Sequence, residues 1–402
     1  MDRRTLLKTG GMAVIGFGLS GCGARSTRPQ VTPRRRLNLA PIRASWDRVI
    51  RTTVGLRPHR PSGFRLEAEK LDHKLVVHNY GHGGAGLSLS WGTGAMSADM
   101  ALEHGSRRAA VLGSGAVGLA ATRQLQRRGF DVTIYAMAVP PDVTTNMAWG
   151  GFTPTSGLVR NRTPAWDAQF RRAVDIAYRQ YQFMAGREYA VSWLNNYGTL
   201  SELPTPGAED EPGGGESEAT GLLPDHIRTG REILMPGEHP FPTPYATVRP
   251  SMRIEPPAYL NAMVKEVRLF GTKTVIRKFD NPRDLMSLGE SVIVNCTGLG
   301  SRELFGDEEL TPVKGQLTFL VPQPEVDYQY RCMPRSDGIA LGSTREEGVW
   351  SLEPDVEARQ RIVDRAIEEF ARVVPPDPTM PLGQSIAPSP PADAEAFFAE
   401  VS

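Results

Sequence analysis

The stretch from Ala109 to Ala136, AAVLGSGAVGLAATRQLQRRGFDVTIYA, constrains this chain more than any other. A short apolar run meets a glycine turn, then a segment with an apolar helical face (Val117, Ala120, Ala121, Leu125), then a stop at Gly129 and a second alternating run from Asp131 to Tyr135. That is strand, turn, helix, strand. Gly113, Ser114, Gly115, Ala116, Val117 and Gly118 spell G-x-G-x-x-G. In such a turn the first glycine makes the bend, the second admits a pyrophosphate against bare backbone, and the third lets helix and strand pack closely. The phosphates would rest on the helix N-terminus. With strand and helix flanking the motif, the segment is expected to bind a dinucleotide.

A nicotinamide dinucleotide leans on an acidic residue after the second strand, and this chain has Tyr135, Ala136 and Met137 there. A flavin dinucleotide is buried along its whole length and tolerates one lost contact, so the gap favours FAD. The chain's 402 residues and 40% hydrophobic content suffice for two domains, while a net charge of +1 argues against a nucleic-acid surface.

Residues 1–22 have the composition of a targeting segment: Arg3 and Arg4 precede an uncharged run from Thr9 to Ser20 that is too short to span a bilayer. The arginine pair suggests folded export by the twin-arginine route. Leu19-Ser20-Gly21-Cys22 resembles a lipoprotein cleavage box, which makes Cys22 the expected lipid anchor and the outside of the membrane the expected location. Residues 23–40 are then a polar tether. Trp46, Val49, Ile50 and Thr53 recur as one helical face, and Gly55 precedes Leu56-Arg57-Pro58-His59-Arg60-Pro61, which holds Arg57 on stiff backbone. Two strands, near 64–67 and 75–78, lead into Asn79-Tyr80-Gly81-His82-Gly83-Gly84-Ala85-Gly86-Leu87-Ser88, a glycine loop opening a helix and offering a second anion contact. His78 and His82 have no third ligand nearby, so no metal is expected. Leu203 to Gly221 is acidic and glycine-rich and is expected to be a flexible insertion.

The segments V-G-L-R-P-H-R-P, R-L-E-A-E and H-N-Y-G-H-G-G-A-G-L-S, with V-I-V-N-C-T-G at Val292 to Gly298, resemble the D-amino-acid oxidase family of flavoproteins. In that family the glycine fingerprint opens the chain and the G-x-R-P and H-N-Y-G-H-G-G segments close it; here they stand ahead of it. The order resembles a circular permutation, with the old termini joined through Gly105 to Arg108 and new ones cut between two helices. The resemblance implies an α/β fold, in which a Rossmann-type FAD-binding domain (72–165 and 255–305) carries a mixed-sheet substrate domain (41–71, 166–254 and 306–375), followed by a flexible tail at 376–402.

It also implies roles. The cofactor would be FAD, contacted by the fingerprint residues, by Thr144, Thr145, Gly150 and Gly151, by the Phe279 backbone, by Thr297, and by Gly83, Gly86, Leu87 and Ser88. Arg57 would grip a substrate carboxylate by a bidentate pair, and the Gly84 carbonyl would accept the substrate amine. The active-site tyrosine position falls on Arg331, one residue from Tyr330, and the second falls on Asp327, beside Tyr328. Either Tyr328 and Tyr330 serve after a register shift, or Arg331 faces a more acidic substrate. The implied reaction takes a D-amino acid to its 2-oxo acid, ammonia and hydrogen peroxide by hydride transfer to the flavin. Two alternatives stand beside it: a dehydrogenase of an amine or glycine-like substrate that hands electrons to a membrane carrier, and a flavin-binding lipoprotein without turnover.

Overall fold

A computed structural model describes residues 36–157, 159–204 and 221–383 of the chain. The leader with Cys22, the tether up to residue 35, most of the acidic insertion and the tail beyond residue 383 lie outside the described residues. In chain order the elements begin β1 (Val49–His59), β2 (Arg65–Leu71), β3 (Lys74–Tyr80), α1 (Gly86–Leu102), β4 (Arg108–Leu112), α2 (Ala116–Arg127), β5 (Asp131–Ala136) and α3 (Pro164–Met184). They continue β6 (Val191–Leu200), β7 (Glu232–Leu234), β8 (Tyr245–Ile254), α4 (Pro256–Leu269), β9 (Lys273–Ile276), β10 (Val292–Asn295) and α5 (Ser301–Phe305). The last are β11 (Thr311–Leu320), β12 (Tyr328–Gln329), β13 (Cys332–Arg335), β14 (Gly338–Gly342), β15 (Glu346–Glu347) and α6 (Val356–Ala371).

The cofactor layer is a sheet in the order β2-β3-β10-β4-β5-β9, parallel except for the edge strand β2. Its inner strands are apolar on both faces, as strands covered on both sides must be. Val77, Val111 and Val294 face a helical layer containing α1 and α2, while Val76, Ala110 and Ile293 face Phe279, Leu285 and Leu304. Helix α1 is buried nearly all round because it also packs on α3, and a helix in that position needs apolar or small residues on every side. Gly92 is one of them: a Cβ there would lie 1.8 Å from the Ala173 carbonyl of α3. Two further sheets, β1-β11-β14-β13 with β15 on β11, and β12-β6-β8-β7, complete the unit.

Several expectations are corrected. The segment expected as a helix at 46–53 is one short 3-10 turn followed by β1, which pairs along the whole of β11. Its β-branched residues (Val49, Ile50, Thr52, Thr53, Val54) favour an extended, half-buried strand over a helix. The tether does not run to residue 40: Leu39, Ala40 and Ile42 are buried, and the Asn38 amide donates to the carbonyls of Asp377, Met380 and Pro381. That clamp also holds the start of the expected tail, so the two ends of the described chain lie together. Strand β2, assigned to the substrate domain, belongs to the cofactor sheet, and α3 packs on α1. The strand expected to reach Phe279 ends at Ile276.

Candidate active site

Two of the fingerprint glycines, Gly113 and Gly118, sit where no side chain fits. At Gly113, with φ of +104°, a Cβ would lie 2.5 Å from the Cys296 carbonyl, and at Gly118 one would lie 2.1 Å from the Gly113 carbonyl. The turn after β4 is therefore pressed against the turn after β10, and the N-terminus of α2 opens between them. No side chain of the Gly115 cap closes that end and no acid occupies the first turn. The Ala116 N–H donates to the Thr145 hydroxyl at 3.2 Å, and the Ser114 hydroxyl donates to the Ala138 carbonyl at 2.7 Å, fixing the loop. The α1 N-terminus is equally bare of caps and acids, and Gly86 lies against Val117, so two helix N-termini point into one region.

Around this region the expected residues do different jobs. Thr297 turns the chain after β10: its N–H and hydroxyl both donate to Asn295 Oδ1, at 3.2 and 2.8 Å. Ser88 accepts from the Thr153 N–H at 2.7 Å, and Leu87 gives its carbonyl to the Tyr181 hydroxyl at 2.6 Å; both tie α1 into the protein. Gly150, with φ of +96°, and Gly151 pass close to β8 and β13, where a Cβ would meet the Ile254 carbonyl at 2.8 Å and Met333 at 3.5 Å respectively. The Phe279 ring is committed to the core against Tyr135, which leaves only its backbone free for the expected contact.

Strand β1 crosses this region. It touches the turn Gly83–Ala85 after β3, the turn Thr144–Met147 after β5 and the turn Gly298–Gly300 after β10, three loops at the carboxyl ends of the parallel strands, where open α/β sheets bind their ligands. Gly55 rests on Met147, and His59 bridges to His82. Arg57 lies between. Its guanidinium spreads flat over β11, and a Cβ at Gly315 would be 2.4 Å from its Nη1. The guanidinium donates weakly to the Ser343 hydroxyl at 3.3 Å and the Thr344 carbonyl at 3.5 Å, and among the described residues it has no carboxylate partner. Burial, and after it the charge of Arg345, lowers its pKa from the ordinary value. Gly83 has φ of +56°, and the Gly84 N–H donates to the Ser156 carbonyl at 3.2 Å. His82 is wholly buried beside Thr93, and burial pulls its pKa down to about 3, so it stays neutral.

The three hairpin candidates lie elsewhere. Pairing across β1-β11-β14-β13 puts Arg57, Gly315, Leu317, Ala340 and Met333 on one face, and Leu320, Leu341 and Cys332 on the other. Tyr330 packs on that second face against Phe370 of α6, its hydroxyl donating to Glu369 at 2.5 Å. Tyr328 sits in β12 with its hydroxyl on the Ala40 carbonyl at 2.7 Å. Arg331, at φ of +55°, is half-exposed and bonded to Thr199. None of the three stands with Arg57. What the face toward the cofactor loops does hold, and the sequence did not announce, is Trp149, packed over Leu317, Phe319 and Met333, together with Ser156, Ser343 and Thr344. Gly315 carried a usable signal, since a glycine inside a long strand marks a close approach.

The region fits a dinucleotide by its own chemistry. It combines a cradle that excludes Cβ atoms, two helix N-termini with no acid in their first turns and, among the described residues, two buried polar atoms without partners, Thr53 Oγ1 and Asn146 Oδ1, on the strand and loop beside it.

Comparison with known proteins agrees. Human D-aspartate oxidase is 28% identical over 271 residues, covering 64% of this chain and 74% of its own. A D-amino-acid oxidase of Rubrobacter xylanophilus is 28% identical over 271 residues, covering 64% of this chain and 76% of its own. One from Streptomyces coelicolor is 39% identical over 93 residues, 20% of this chain and 29% of its own. Residues 108–393, from the first fingerprint strand onward, match the family described as FAD dependent oxidoreductase, DAO. With that match over well more than half its length, the chain belongs to the DAO family of FAD-dependent oxidoreductases.

Proposed function

We propose that this flavoenzyme oxidises D-amino acids at the α-carbon, releasing the 2-oxo acid and ammonia and passing the electrons to oxygen as hydrogen peroxide. The observation that carries the proposal is the uncompensated Arg57 guanidinium, laid across Gly315 on the strand that crosses the cofactor loops. A planar, always charged fork with no carboxylate partner among the described residues is matched to a substrate carboxylate. FAD, when bound along the fingerprint, supplies the hydride acceptor. The protein's share is then positioning: Arg57 fixes the carboxylate, the glycine turn at Gly83–Ala85 leaves backbone for the amine, and Trp149 with Met333 walls the side-chain space and excludes water. The oxidase activities of the relatives named above support the same reaction.

The test is anaerobic mixing of the yellow protein with a panel of D- and L-amino acids. Bleaching of the flavin band by D-enantiomers, followed in air by one peroxide per substrate consumed, is the expected result. Bleaching by L-enantiomers or simple amines alone contradicts the proposal, and bleaching without peroxide moves the electrons to another acceptor.

We also propose export by the twin-arginine route and anchoring through Cys22, on the strength of Arg3-Arg4 and Leu19 to Cys22. Cys22→Ala should abolish lipid labelling and membrane partition; unchanged partition would refute the anchor. The segment order is proposed to be a circular permutation, supported by the short link from Leu102 to Arg108 and by the Asn38 clamp that brings the described ends together. Moving residues 36–104 behind residue 383 through a short linker should yield a folded, FAD-binding protein, and failure to bind FAD would count against it.

A further inference from the structure

Arg57, Val313 and Glu347 stand in one row, because β11 pairs with β1 on one side and with β15 on the other. Directly opposed residues in an antiparallel sheet share a face, and strands lie about 4.8 Å apart, so the Glu347 carboxylate is rooted roughly 10 Å from Arg57 on the same surface. Glu347 does not serve Arg57. It is held by Arg345 at 2.5 Å and by Arg160 at 2.9 Å. Arg345 follows the Thr344 carbonyl to which Arg57 donates, and its pairing with Glu347 holds the second guanidinium on the same face as the first. The next row, Lys314 and Glu346, faces the other way and balances in charge. At the half-exposed rim of this face Arg57, Arg160 and Arg345 stand with Glu347, while farther along the same face Arg51 and Arg335 share Asp337, so positive charge is in excess.

We infer that the site selects amino acids with a second carboxylate, Arg57 taking the α-carboxylate and Arg345 the side-chain one. This rests on the function proposed above and names its substrate class. Glu347 occupies Arg345 in the free protein. Because Glu347 is also bonded to Arg160, it keeps a partner when Arg345 turns to the substrate. A single arginine would be matched by a zwitterion with a neutral side chain; an unbalanced pair is matched by a net anion and attracts it from solution.

The experiment needs no turnover. Succinate and propionate, one with two carboxylates and one with one, are titrated into the holoprotein and followed by the shift of the flavin absorption band. Wild type should bind succinate at least about fivefold tighter, a preference that weakens with added salt as exposed charge interactions do. Arg345→Gln should erase the preference and Glu347→Gln should enlarge it. Equal affinities in wild type, or a preference that survives Arg345→Gln, overturns the inference. The ratio of kcat/KM for D-glutamate to that for D-alanine should move in the same two directions. If no D-amino acid bleaches the flavin, the proposed function fails while the succinate titration still decides the inference.

Discussion

Met333 and Cys332 are neighbours on β13 and belong to different halves of the molecule. Met333 reaches Gly151 in the cofactor loops, while Cys332 joins Leu320, Ile339, Tyr330 and Phe370 under α6. The same alternation divides β11, where Gly315 and Leu317 look toward the candidate site and Gln316 turns away to bond Asp355 ahead of α6. One face is built around glycines and an arginine with no carboxylate partner among the described residues; the other is aromatic and hydrogen-bonded to itself. A sheet's period of two makes a one-residue offset the difference between binding a ligand and stabilising a core.

The largest expected effect comes from filling the cradle. Gly118→Val places carbon atoms on the Gly113 carbonyl, and overpacking against fixed backbone costs on the order of 3 kcal/mol or more. The purified variant should be colourless or insoluble; a yellow, stable protein would mean the turn is not where the dinucleotide sits. His82 comes next. Its folded pKa of about 3 lies below the ordinary value near 6.5, so the unfolded chain takes up a proton that the folded one refuses. The stability this histidine contributes is complete above the unfolded value and falls between pH 6.5 and about 3, by up to about 1.4 kcal/mol per pH unit. Denaturant titrations across that range should show the slope, and His82→Gln should flatten it.

Much of this was legible in the sequence, for a physical reason. A turn that needs bare backbone can be made only from glycine at fixed offsets, so Gly113, Gly115 and Gly118 disclosed strand, helix and ligand end together. Arg57 was legible because it stands directly before Pro58 in G-L-R-P, which stiffens the backbone that carries it. The hairpin was not, since the face that Tyr330 takes is set by how β13 pairs with β14, and pairing leaves no mark in local sequence. Strand β1 was misread because Trp46, Val49, Ile50 and Thr53 also fit a helical spacing, and its partner β11 lies more than 250 residues away along the chain. The burial of Leu39 and Ile42 depends on a clamp between two distant segments, equally invisible beforehand.

Smaller effects probe the far face. Tyr330→Phe removes a hydrogen bond to the Glu369 carboxylate and should cost about 2 kcal/mol of stability. Flavin reduction should be unchanged, and a tenfold loss of rate would return Tyr330 to the substrate side. Arg331→Ala, at a half-exposed position, should stay within about 0.5 kcal/mol of wild type and likewise leave reduction alone.

The central claim is that Arg57 holds the substrate carboxylate over the cofactor loops, and stopped-flow reduction of Arg57→Ala tests it most directly. Leaving a carboxylate without its guanidinium costs on the order of 2–5 kcal/mol, about 30-fold to several-thousand-fold in kcat/KM. The variant should keep its FAD spectrum, lose D-amino-acid bleaching by that factor, and recover only part of it as Arg57→Lys, since an ammonium cannot grip both oxygens. Bleaching of Arg57→Ala by D-amino acids at the wild-type rate would contradict the account.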